Sequence, residues 1–357
     1  MNSFSIKTKI GLEVFRAYRA IQTRMHELNY LFWECTLRCN LNCIHCGSDC
    51  TRDSKTPDMP IRDFLKVLDK VMKEYNPNKV MIAITGGEPL VRKDLEDCGQ
   101  QIYTRGFPWG IVSNGYLMTA NRLSSLCNSG LRSITISLDG LQESHNWLRG
   151  RNDSFQKAMQ AIKLCATNKS IVFDVVTCVN KRNLLELESI KNLLLEAGVR
   201  KWRIFTIFPK GRAKKHEDLE LDNADFSQML DFIAYCRNQK TIEASYGCEG
   251  FLGNYEGKVR DGFFFCRAGI TVASVLADGS ISACPSLRGD FIQGNIYKDD
   301  FIECWNDRYG QMRNRNWAKT SKCSDCNEFK YCNGNGLHLR EGPGSELLTC
   351  HYERISK

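Results

Sequence analysis

No stretch of this 357-residue chain is apolar for the roughly 18 residues that a membrane span requires. The opening MNSFSIKTKI carries no apolar core of a secretory signal, so a cytoplasmic protein without a membrane span is the expectation. Long blocks of one charge sign are missing too. The net charge of +8 is the balance of 49 basic and 41 acidic residues, which calls for no nucleic-acid partner. Disorder has little room, because 42% of the residues are hydrophobic and a large core can form. Cysteine, by contrast, is abundant. Eighteen cysteines in a reducing compartment argue for metal or redox chemistry, not for disulfides.

The first cysteine group lacks a fourth member. Cys39, Cys43 and Cys46 follow a CxxxCxxC spacing within Cys39-Asn40-Leu41-Asn42-Cys43-Ile44-His45-Cys46. A closed zinc site takes four ligands, usually drawn from CxxC pairs. Three thiolates suit a 4Fe–4S cube with one iron left open to a small chelating molecule. Three buried cysteines, or zinc, are the plainer alternatives.

Strand-like and helix-like segments alternate along the next two hundred residues. An amphipathic helix over 12–28 is expected to pack outside the following domain. Strands are expected at 31–34, 79–85, 110–113, 133–138, 171–179 and 202–208. Helices are expected at 61–75, 92–105, 119–129, 154–168, 184–197 and 222–237. Six strand–helix units predict a parallel sheet with helices on its outer face, an α/β fold of the open (β/α)6 type. Each candidate motif falls just after a strand, where parallel barrels place their active sites. The character changes near residue 240, and 241–357 reads as a small Gly- and Cys-rich domain in which metal centres substitute for apolar bulk. The expected division is an N-terminal helical extension over 1–30, the partial barrel over 31–240 and the cysteine-rich domain over 241–357.

The cysteine loop, followed by Gly86-Gly87-Glu88-Pro89 at the end of the second strand, resembles the radical S-adenosylmethionine (SAM) enzymes. In that family the open iron chelates SAM, and one electron cleaves it to methionine and a 5′-deoxyadenosyl radical. The resemblance implies that Gly86, Gly87, Glu88 and Pro89 receive the methionine amino group. It places His45 in the slot that packs a ring on adenine. It makes Ser113, Asn114 and Ser137 contacts at the strand ends, Ser137 to the ribose, and Arg149 the partner of the SAM carboxylate. A guanidinium suits that last role through its planar fork. Each residue also has a plainer reading: a satisfied histidine, a tight turn, or a surface ion pair for Arg149. Asp139 reads equally as a cap. Lys210 and Arg212, after the sixth strand, read as substrate-facing or as part of a solvated loop.

The tail holds a second cysteine field: Cys248, Cys266, Cys284, Cys323, Cys326, Cys332 and Cys350. ADGSISACPS, GNIYKDDFIECW and the Cys323–Cys326 CxxC pair resemble a SPASM domain, which carries auxiliary iron–sulfur clusters. The resemblance gives one cluster to Cys323, Cys326, Cys332 and Cys350. A second would take Cys266 and Cys284, with Cys248 as a candidate third ligand. Its remaining position is Gly336 and not cysteine, which leaves an open iron, a ligand such as His338, or no cluster. Zinc is the plainer reading for the CxxC pair. The remaining eight cysteines, Cys35, Cys50, Cys98, Cys127, Cys165, Cys178, Cys236 and Cys304, read mostly as small buried apolar residues. Pro285 stands where sulfatase-maturing relatives place a proton-accepting aspartate.

The implied activity is SAM-dependent oxidation of a peptide or small protein: a crosslink, a thioether or a dehydrogenated side chain. An electron donor such as flavodoxin or ferredoxin is implied as a partner. Two alternatives stand beside it: a small-molecule or cofactor-precursor substrate, and a non-enzymatic electron-transfer protein. The latter has no use for Gly86, Gly87, Ser137 and Arg149 at strand ends.

Overall fold

The computed structural model describes residues 4–247 and 249–356. Cys248 lies outside the described residues. Among the described residues, ten strands form one sheet. In chain order they are β1 (Tyr30–Glu34), β2 (Met81–Thr85), β3 (Trp109–Ser113), β4 (Leu131–Ser137), β5 (Val172–Val179), β6 (Lys201–Thr206), β7 (Glu243–Tyr246), β8 (Val272–Val275), β9 (Ser280–Ser282) and β10 (Gly294–Asn295). Strands β1 to β7 run parallel in sequence order, and β8 pairs parallel with the free edge of β1. Strands β9 and β10 then turn back antiparallel.

The parallel sheet therefore does not stop near residue 240. Glu243-Ala244-Ser245-Tyr246 adds a seventh strand beside β6, and Val272–Val275 adds one at the other edge. Both segments are four residues long and mixed in polarity, too short for a clear period of two.

Among the described residues, eight α-helices of eight residues or more accompany the strands: α1 (Ile6–Met25), α2 (Ile61–Glu74), α3 (Leu95–Thr104), α4 (Ala120–Asn128), α5 (Gln142–Arg149), α6 (Ser154–Thr167), α7 (Leu187–Glu196) and α8 (Asn223–Gln239). Helix α2 buries Phe64, Leu65, Val67, Leu68 and Val71 against the sheet, and Phe64 stacks on Trp33 of β1 at 4.7 Å. Gly99, inside α3, is required by close packing. A Cβ there would stand 2.1 Å from Trp109 of β3, a contact no side chain can make. Helix α8 begins with a reciprocal capping box between Asp222 and Asp225.

Two helices depart from the sequence reading. Helix α5 was not foreseen, since it lies in the polar stretch QESHNWLR. Helix α1 starts at residue 6, where the Ser5 side chain accepts from the Thr8 N–H. It packs on the C-terminal domain, not on the barrel: Phe15 meets Phe263 at 5.5 Å, and Arg19 donates to the carbonyls of Lys330 and Tyr331.

Candidate active site

The C-terminal ends of β1 to β6 open onto one cavity of about 590 Å³. Its walls include Cys39, Cys43, His45, Cys46, Gly86, Gly87, Glu88, Ser113, Asn114, Ser137 and Arg149. Eleven of the twelve residues assigned from the first cysteine group and the strand-end motifs line it; the twelfth, Pro89, does not.

 Pro89 is buried behind the wall, where it starts the short turn Pro89–Val91.

The cysteine loop is held in place from three sides. The Cys39 N–H donates to the Thr51 carbonyl at 2.9 Å, and the Ile44 N–H donates to the Leu148 carbonyl of α5 at 3.0 Å. Arg212 supplies the third side. Its N–H donates to the Cys46 carbonyl, its Nε to the Cys43 carbonyl at 2.8 Å, and its Nη1 to the Cys50 carbonyl and to Asp49. Arg212 therefore clamps the loop, and its guanidinium does not point freely at a substrate. Burial pushes the Cys39 thiol up to about 12 and raises Cys43 as well, while hydrogen bonding from Cys50 lowers Cys46.

Gly86 and Gly87 serve the same loop. A Cβ on Gly86 would stand 2.2 Å from the Thr36 carbonyl oxygen, and one on Gly87 2.3 Å from that of Arg38. The Gly87 and Glu88 N–H groups donate to those two carbonyls at 2.8 and 2.9 Å. Glu88 is buried, and its carboxylate accepts from Leu90 N–H at 3.0 Å, Ser113 Oγ at 2.8 Å and Asn114 N–H at 2.7 Å. It ties the end of β2 to the end of β3. Burial raises its pKa, against those three donors. Arg92, which the sequence reading passed over, fixes the same region by donating to the carbonyls of Cys35 and Met59 at 2.8 and 2.9 Å.

Arg149 ends α5 and reaches the fully buried Asp139, its Nε donating at 2.6 Å. Its Nη1 stands 3.7 Å from Cys43 Sγ. Burial, the largest single influence, pushes the Asp139 carboxyl up, but Arg149, His45, His145 and the Cys178 N–H together outweigh it, so the net direction is down. Asp139 also accepts from the Cys178 N–H at 2.8 Å, and His45 Nε2 lies 4.0 Å from it. Burial lowers His45 to about 4, so its ring is neutral at pH 7. Asp139 is thus the centre of a buried polar group and not a simple cap. Cys50, which the sequence places beside the first cysteine group without making it a ligand, lines the cavity, and so does Cys178, which the sequence reads as a small buried apolar residue. No motif set Cys178 apart.

Among the described residues, the one trio of ligand atoms within 4.8 Å of one another is His45, Asp139 and Cys178. Cys39, Cys43 and Cys46 do not meet that limit as a set. Ligands about 2.3 Å from one zinc ion crowd closer together, so this trio fits a multi-iron cluster better than a single zinc ion.

In the C-terminal domain, Cys323, Leu339 and Leu347 form a small core that Cys350 joins. Burial raises the thiols of Cys323, Cys332 and Cys350, and each feels at least one other member of the set; Cys326 acts on both Cys323 and Cys350. Arg340 Nη2 lies 3.7 Å from Cys323 Sγ, and the Asn335 N–H donates to Cys332 Sγ at 3.1 Å. Such donors suit thiolate ligands. Cys266 and Cys284 are within electrostatic reach of each other. A Cβ on Gly336 would stand 2.6 Å from both the Glu249 carbonyl oxygen and His338 Cε1, so the missing cysteine has no room. His338 is buried beside Phe208 at 4.8 Å, and its Nε2 has no hydrogen-bond partner.

Residues from before and after residue 240 meet across the cavity. Arg288 pairs with the buried Glu34 at the end of β1, and Lys210 Nζ donates to the Arg340 carbonyl at 2.7 Å. Lys210, Lys214, Arg288 and Glu341 complete the wall.

The chain is similar to known proteins over most of its length. The Radical SAM superfamily model matches residues 33–194, and the SPASM iron-sulfur cluster-binding domain matches residues 266–327. An AdoMet-dependent heme synthase of Methanosarcina barkeri is 25% identical over 87% of this chain and 94% of its own length. Mycofactocin maturase MftC of Mycobacterium tuberculosis is 26% identical over 90% of this chain and 83% of its own. Streptococcus suis SuiB bound to S-adenosylmethionine superposes with a TM-score of 0.68 over 97% of this chain and 83% of that one, at 18% identity. Likeness at that identity speaks for the fold.

Proposed function

As this chain is a radical SAM superfamily enzyme with a C-terminal SPASM domain, we propose that it oxidises a peptide or small protein at an unactivated C–H bond. The observation that carries the reading is the cavity, which joins the first cysteine group to the C-terminal domain. At about 590 Å³ it is the size of a site for one drug-sized molecule. Shared with SAM, it leaves space for a side chain reaching in from a larger substrate.

A bound iron–sulfur cluster and SAM supply the hydrogen-abstracting radical, as they do throughout the family. The chain's residues do the positioning. Cys39, Cys43 and Cys46 would hold the cluster, and Arg212 keeps their loop in shape. Arg149, oriented by Asp139, would receive the SAM carboxylate. Ser137 would take the ribose, and the neutral His45 ring would lie by the adenine. Cys323, Cys326, Cys332 and Cys350 would hold an auxiliary cluster, a one-electron redox centre.

A second reading has its own support. Several curated relatives are named for haem-pathway reactions, among them an Fe-coproporphyrin III synthase that is 26% identical over 85% of this chain. Lys210 and Lys214 on the wall suit the carboxylates of such a precursor. Reconstituted enzyme, SAM and dithionite, supplied in parallel with a short peptide encoded beside the gene and with Fe-coproporphyrin III, test the choice. The peptide reading expects a mass change in the peptide and 5′-deoxyadenosine formation stimulated by it. Modification of the porphyrin alone would overturn it.

A further inference from the structure

Helix α1 has two apolar faces, and only one is covered. Leu12, Phe15 and the stem of Arg19 turn inward, and Gly11 lets the helix approach Phe263, which a Cβ there would meet at 2.9 Å. On another face, Ile6, Ile10, Val14, Tyr18, Ile21 and Met25 recur every three or four residues, and all are between 41% and 79% exposed. They form a continuous ridge along a helix roughly 30 Å long. Scattered surface hydrophobics need no explanation, but a ridge of six does.

Charge and shape select the occupant. The helix carries Lys7, Lys9, Arg16 and Arg24 outside its inward face, and its one acidic residue is Glu13. Glu13 is already engaged by Arg16 at 2.7 Å and by Lys330 at 2.9 Å. Pairing two copies antiparallel along this ridge would bring Lys7 and Lys9 of one toward Arg24 of the other, a contact between like charges. The ridge is also convex, whereas a peptide helix docks into a groove. A basic amphipathic helix with a convex apolar ridge matches a bilayer interface, where the apolar side chains enter the headgroup boundary and the basic ones meet anionic lipid.

We propose that the outer face of α1 seats this protein on an anionic membrane surface. No helix among the described residues is long and apolar enough to cross a membrane, so the attachment is peripheral.

The test is anaerobic flotation of the full-length holoenzyme with vesicles of phosphatidylcholine, alone or mixed with phosphatidylglycerol. The protein is expected to float with the mixed vesicles and not with phosphatidylcholine alone. The double variant I10D/I21D is expected to lose about tenfold or more of that binding, with iron content and SAM cleavage unchanged. Three results would overturn the proposal: no flotation with the anionic vesicles, equal flotation of the variant, or a stable dimer in light scattering that the variant dissociates.

Discussion

Arg149 Nε donates to Asp139 at 2.6 Å while Nη1 of the same guanidinium stands 3.7 Å from Cys43 Sγ. One buried carboxylate thus fixes an arginine that borders both the first cysteine group and the cavity. D139N keeps the shape and removes the charge, leaving Arg149 buried without its partner. The expected cost is about 3 kcal/mol of stability and roughly 10- to 100-fold in kcat/KM for SAM, mainly through KM. The double variant D139N/R149Q should regain part of the stability and none of the SAM cleavage. Thermal unfolding and 5′-deoxyadenosine assays separate the two effects. A stable, fully active D139N would remove Asp139 from this role.

Arg212 spans the first cysteine loop through Cys43, Cys46 and Cys50. R212Q should lower retention of the first cluster by roughly 10- to 100-fold in affinity, as outer-shell changes do. The auxiliary iron should stay. Iron analysis and the spectrum of the reduced first cluster check this; an unchanged first cluster would contradict it.

Gly336 is closed to any side chain by Glu249 and His338. G336C should therefore destabilise the protein by about 1–3 kcal/mol through overpacking, with no gain of iron. A variant that unfolds at the same temperature and binds an additional cluster would refute the steric reading.

Buried histidines set a pH dependence, His145 and His338 among them. Burial lowers His145 to about 3 and His338 to about 4. Both stay neutral in the folded chain, while the unfolded chain protonates them below about 6.5. Their contribution is complete above pH 6.5 and is lost as pH falls toward those folded values, by about 1.4 kcal/mol per pH unit for each. Unfolding temperatures of the apoprotein between pH 7 and pH 5 should fall accordingly, and H145N should reduce the slope. A flat profile would contradict the burial argument.

Much of this was legible in the sequence because the signals were local. The six central strands are apolar runs bounded by turns, and Cys39, Cys43, Cys46 and Gly86-Gly87 sit at fixed distances along the chain. The contacts that organise the site were not legible. Asp139 looks like a turn cap until Arg149 folds back onto it, ten residues later in the chain. Arg212 looks like a loop cation until it meets Cys43, some 169 residues earlier. Cys178 differs from the core cysteines only in where its strand ends. The edge strands β7 and β8 are defined by their partners and not by their composition.

The central claim is that Cys39, Cys43 and Cys46 hold an iron–sulfur cluster at the mouth of the sheet. Iron and sulfide analysis of the anaerobically reconstituted protein, beside a C39A/C43A/C46A variant, tests it most directly. The account predicts that the variant loses about four irons per chain together with all 5′-deoxyadenosine formation, and keeps the iron of the C-terminal domain. Equal iron in the two proteins would contradict it.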